Sequence, residues 1–144
     1  MKKTVLILSL ALLSRIGSAK GDSCANAISM PVSANSIMLN NTILGTDKWF
    51  TFTPLTTEVK IQLQNTNPFA HIHDLLLVEG FCNPKYYVIG HDFGNKNVFT
   101  INMHEVIPGM PYFIVAMRDH PSCTDCGLPG ATFNLSAMSL PPPT

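Results

Sequence analysis

The segment TTEVKIQLQNTNP, residues 56–68, decides the fold class. Val59, Ile61 and Leu63 alternate with Glu58, Lys60, Gln62 and Gln64, which gives an extended strand one apolar and one polar face. NTNP then closes the strand as a turn, because asparagine and proline favour turn geometry. A strand of this kind belongs to an antiparallel sheet with one face on a core and the other in water.

The same reading extends outward in both directions. GTDKWFTFTP, residues 45–54, alternates as well: Phe50 and Phe52 share one face, Trp49, Thr51 and Thr53 the other. Further strands are predicted at 36–44, 75–78, 86–89, 98–103, 112–117 and 132–137. The run at 75–78 is apolar on both faces and should be covered on both. So should 112–117, whose outer face needs loops, another strand or a partner over it. Gly80, Asn83-Pro84, Gly94-Asn95, Pro108-Gly109 and Pro129-Gly130 punctuate these strands. Helical periodicity is confined to a short turn near residue 24, capped by Asp22 or Ser23 and stopped by Pro31. Eight or nine short strands with regular turns indicate an all-β antiparallel sandwich or barrel.

Export is read from the first residues. Lys2 and Lys3 precede an apolar run at 5–13, and Gly17-Ser18-Ala19 supplies small residues at a cleavage position. The run is shorter than the roughly 20 residues needed to span a bilayer. A signal peptide is therefore assigned to 1–19, with cleavage after Ala19, and N-terminal sequencing of exported protein checks it. Removing Lys2, Lys3 and Arg15 leaves six basic residues against nine acidic ones, a formal net of about −3. That balance argues against nucleic acid and anionic membrane surfaces as partners. No later apolar run is long enough for membrane insertion. The four cysteines, Cys24, Cys82, Cys123 and Cys126, allow three connectivities, and an exported chain favours disulfides. Cys123–Cys126 is expected to close a late loop and Cys24–Cys82 to form the second pair.

Chemistry-bearing residues are sparse. No Gly-x-Ser-x-Gly elbow occurs, and the acids are scattered singly, so no catalytic residues are assigned. His71 and His73, on one strand face, resemble a two-ligand metal grip that Asp74, His91 or Asp92 would complete. The preferred alternative is two solvated histidines leading into a buried strand. Cys123-x-x-Cys126 beside His120 lacks the second pair a zinc site needs. Asp74, Asp92, Asn95 and Asn97 are hard oxygen ligands for a weak calcium site, but ordinary turn chemistry explains them equally, and no cofactor is assigned. Trp49 has two readings, a packed core residue or an aromatic platform for a ligand, and packing is preferred because a buried tryptophan contributes strongly to a small core.

Taken in order, DSCANAISMPV, DKWFTFTP, VKIQLQ, HDLLLVEGFCNP, YYVIGHD, VIPGMPYFIVAM and GATFNLSAM resemble the exported β-sandwich modules of Bacteroidota surface proteins, relatives of bacterial pre-peptidase C-terminal domains. The resemblance covers residues 22–138. It implies a jelly-roll-like sandwich, no catalysis, and a binding or accessory role. His91-Asp92-Phe93 stands where family members often carry a second cysteine and a run of acids. The organisation expected is a signal peptide at 1–19, a sandwich at 20–138 and a Pro-rich tail at 139–144. The function expected is a secreted or cell-surface module with a glycan or surface-protein ligand. A structural cap or spacer in a larger envelope protein is the alternative, and a small secreted hydrolase a remote third. The sequence sets no oligomeric state.

Overall fold

A computed structural model describes residues 20–80, 82, 86–118 and 130–141 of the chain. The assigned signal peptide, Cys123, Cys126 and residues 142–144 of the tail lie outside the described residues. Nine strands are described: β1 (Ile28–Ser29), β2 (Asn35–Ile43), β3 (Asp47–Phe52), β4 (Glu58–Asn65), β5 (Asp74–Gly80), β6 (Tyr86–Phe93), β7 (Val98–Met103), β8 (Tyr112–Met117) and β9 (Ala131–Leu140). A 3-10 turn, Cys24–Asn26, precedes them. Ser23 caps that turn without a side-chain hydrogen bond. Asp22 instead accepts a bond from Asn26 Nδ2 at 3.2 Å.

The strands form two sheets, a five-stranded one in the order β1-β3-β8-β5-β6 and a four-stranded one in the order β2-β9-β4-β7. The chain changes sheet at nearly every connection, the weave of a jelly-roll-like sandwich. All pairings are antiparallel except β1 with β3, where Ile28 and Ser29 run parallel to Phe50 and Thr51. Alternation turns Val59, Ile61 and Leu63 of β4 inward, beside Phe99 and Ile101 of β7 and Phe133 and Leu135 of β9. Phe50, Phe52, Tyr112, Ile114, Leu75 and Leu77 meet them from the other sheet. Phe50 and Phe133 form an edge-on pair between the sheets, with centroids 6.0 Å apart. Burial of these apolar faces is the main stabilising term.

β5, β6 and β9 run further than the sequence predicts, β5 reaching from Asp74 to Gly80. β6 continues to Phe93 because Gly90, His91, Asp92 and Phe93 pair with Leu77, Leu76, Leu75 and Asp74. β9 reaches Leu140 because Ser139 and Leu140 pair with Val59 and Glu58, so these two residues of the expected tail lie in the sheet. Arg118 follows β8 into a buried position, 2 % exposed, where its backbone N–H donates to Thr46 and its guanidinium to the carbonyl of Ile43.

β6 and β7 belong to different sheets and pass each other at one edge of the sandwich. Gly90 makes that approach feasible. A Cβ there would stand 2.9 Å from Ile101 Cγ2 and 3.0 Å from Met103 Cε, closer than ordinary contact. Gly90→Ala should therefore overpack the edge and cost about 1–3 kcal/mol, despite the better strand propensity of alanine. Chemical denaturation checks this, and an unchanged midpoint would show that β7 yields freely.

Candidate binding surface

A sandwich has two outer faces, and these two differ. On the five-stranded sheet, register lines up Trp49, Val115, Leu76 and His91 across β3, β8, β5 and β6. A second row holds Thr51, Phe113, Val78 and Val88. Trp49, Val78 and Val115 are buried in a small cluster of their own, joined by Phe113, Leu76, Met117, Cys24 and Ala27. The 3-10 turn and the residue that caps it supply the last two residues and so act as a lid. Its anchors are the Cys24–Cys82 disulfide and a bond from Trp49 N–H to the Gly21 carbonyl at 2.6 Å. Gly21 lies at φ +84 with Ile28 against it, a position that favours glycine. Trp49 is 8 % exposed, and its ring meets Phe113 edge-on at 6.2 Å. The double-sided apolar character of β8 is thus accounted for by two cores, one on each face.

The histidine pair is arranged otherwise than the sequence predicts. His71 and His73 precede β5 rather than lying in a strand. His73 is not solvated: it is 7 % exposed, because its N–H donates to Met117 and its carbonyl accepts from Gly94, which draws it between β8 and the β6–β7 turn. The two rings lie 6.3 Å apart. His91 stacks instead on Phe93, with centroids at 5.4 Å.

The candidate calcium residues are also divided. Asp74 pairs with Phe93 and Leu75 with Asp92, so the two carboxylates belong to opposite faces of the sheet. Asp92 accepts from Lys96 Nζ at 2.5 Å and from the Thr100 N–H at 2.8 Å, which ties β6 to β7. The carbonyl of Asn97 accepts from the Asn65 N–H at 2.8 Å. Among the described residues, no group of three or more histidine, cysteine, aspartate and glutamate side chains could hold a metal ion.

Burial pushes the Asp92 carboxyl upward, but its bonds from Lys96 and Thr100 outweigh that and hold it below the usual carboxylate range. A depressed folded pKa stabilises above the unfolded value, about 3.9, and the contribution disappears as pH falls through the folded one. Asp92→Asn should consequently lower the melting temperature at neutral pH and narrow its gap to the parent protein below about pH 4. Melting curves at both pH values decide it. An equal deficit at both would remove the carboxylate from the account.

The outer face of the four-stranded sheet is open. Ile37, Ser136, Gln62 and Thr100 form one row across β2, β9, β4 and β7. Asn134, Gln64 and Val98 form the next. Between them runs a trough of about 330 Å³, with Ile37 and Leu39 at one rim and Val98 at the other. These rim residues are 54 %, 64 % and 40 % exposed. A bulge in β2 between Met38 and Asn41, with Asn40 at φ 56, accompanies the outward turn of Leu39. Asn134 Oδ1 accepts from the Asn40 N–H at 3.0 Å, which fixes the orientation of that amide. The side chains of Gln62, Gln64 and Ser136 make no hydrogen bond to any other described residue. Alternation along β4 places both glutamines on the wet face, but sequence reasoning did not single them out as a site. Only the register reveals which residues of β2, β7 and β9 stand beside them.

No protein-family model matches the chain, and no curated protein sequence matches it. Among solved structures, the chain is similar to the pre-peptidase C-terminal domain of a collagenase from Bacillus anthracis, with TM-score 0.53 and 12 % identity over 77 % of this chain and 95 % of that one. It is also similar to a surface-associated copper-binding protein of Methylomicrobium album BG8 (TM-score 0.47, 13 % identity, 78 % and 100 % covered). A third similarity is to a periplasmic inhibitor of g-type lysozyme from Salmonella Typhimurium (TM-score 0.42, 9 % identity, 78 % and 96 % covered). The first likeness establishes the fold: a sandwich like that of pre-peptidase C-terminal domains.

Proposed function

We propose that this protein is an exported, non-catalytic binding module that serves as an accessory domain of a surface or extracellular protein of the Bacteroidota type. The observation that carries the reading is the contrast between the two outer faces. One carries a disulfide-anchored lid over Trp49, with Val88 and His91 exposed beyond it, whereas the other carries an open trough in which the Gln62 and Gln64 amides bond no described residue. Gln62 is half-buried and Gln64 exposed, so both amides face solvent and can exchange water for a ligand. Export is supported by the Cys24–Cys82 bridge, because disulfides persist in oxidising compartments. A non-catalytic role is supported by Asp92, whose carboxylate is taken up by Lys96 and Thr100. The ligand is a glycan or a surface protein.

The test uses the mature chain, residues 20–144. It is run against chromogenic ester, glycoside and peptide substrates for turnover, and through gels containing polysaccharides or gelatin for retention. Retention without turnover is expected. Turnover that co-purifies with the protein would overturn the non-catalytic reading, and free migration in every gel would favour the structural spacer.

A further inference from the structure

The lining of the trough narrows the ligand class, an inference that rests on the binding-module reading. We propose that the trough on β2-β9-β4-β7 binds uncharged glycans, with Gln62, Gln64, Asn134 and Ser136 bonding hydroxyl groups, and Ile37, Leu39 and Val98 receiving the C–H faces of the sugar rings.

The chemistry of the lining selects the ligand. None of the lining side chains is ionisable, and Lys60 stands one row beyond Gln62 on the same face, outside the lining, so a carboxylate, sulfate or phosphate seated among the amides would meet no counter-charge in the lining itself. A primary amide presents two donors and an acceptor, and a hydroxyl gives one donor and accepts as well. Sugar hydroxyls have the same dual character, and amides on a rigid sheet can meet them without ordering a loop. Asn134 illustrates the pre-setting: its oxygen is held by Asn40, which leaves the NH₂ group to donate. The exposed aliphatic rims then offer apolar surface to the ring faces, which are also apolar.

A folded protein partner fits less well. Such interfaces bury about 800 Å² on each side and centre on aromatic or arginine anchors. The trough contains neither, and it lies open to solvent along the sheet. An extended peptide would need a strand edge to pair with, whereas the floor is formed by β9 and β4, the two inner strands of the sheet.

The experiment titrates isotope-labelled mature chain with laminarin, xylan and mannan as neutral glycans, polygalacturonate as an acidic one and gelatin as a protein. Side-chain NH₂ resonances of Gln62, Gln64 and Asn134 are followed by NMR. At least one neutral glycan should shift these three signals, and Gln62→Ala/Gln64→Ala should weaken binding about tenfold or more while leaving the melting temperature unchanged. Shifts produced only by gelatin would overturn the glycan class while the module reading stands. Tighter binding of polygalacturonate would overturn the neutrality argument. Neutral glycans that shift other residues would overturn the location. If none of the five moves any signal, the glycan inference fails, and retention in the gel assay alone would then decide whether the module reading survives.

Discussion

Trp49→Ala should lower the stability of the folded domain by about 3–5 kcal/mol, the range for a large aromatic removed from a packed site. The ring is nearly enclosed between Val115, Val78, Phe113 and the lid residues Cys24 and Ala27. Truncation would leave a cavity whose floor is a rigid β-sheet, which cannot collapse to fill it. The lid is held by its disulfide and by the bond from Trp49 N–H to Gly21, neither of which the side chain supplies. Relaxation is therefore limited, and the loss belongs toward the upper part of that range. A ligand platform would behave differently, because an exposed tryptophan can be cut back with little effect on melting. One melting curve separates the two roles. If the midpoint does not move, Trp49 is a platform and the second core on this face does not hold the lid.

How much was legible in the sequence varied with the range of the interaction. Val98–Met103 and Tyr112–Met117 were readable to the residue, because apolar patterning and flanking turns are local signals. The sequence places β6 at 86–89 only, and Gly90, with its poor strand propensity, gives no local signal that it continues. In the fold, glycine is what lets Ile101 and Met103 pass, and the ladder to β5 carries the strand on to Phe93. His73 was expected in water. Its burial follows from a backbone bond to Met117, a partner far away in sequence. The trough is the clearest case. Gln62 and Gln64 were visibly outward, but a site requires Ser136, Asn134, Ile37 and Val98 beside them, and only pairing between strands brings these together. The expected Cys24–Cys82 bridge forms, because β5 ends beside the N-terminal turn.

That bridge is the second large effect expected. Replacing Cys24 and Cys82 with alanine opens a loop of sequence separation 58, for which the chain-entropy argument gives about 4 kcal/mol. The cost should be at most that figure, because part of the benefit depends on what the unfolded chain does when released. The distinguishing readout is at Trp49. With its tether gone, the lid retains the β1–β3 pairing and the Gly21 bond, but the turn itself can lift from the ring. Indole emission should shift to the red and become quenchable by acrylamide under conditions where the domain remains folded. Cys24 also packs against Trp49, so the bridge and the ring act on one contact and their effects should not add. The triple variant, with Trp49→Ala as well, should lose less than the sum of its parts by about 0.5–3 kcal/mol. Full additivity, or emission unchanged when the bridge is removed, would mean that the lid stays shut without its disulfide, leaving the bridge to act only through the unfolded chain.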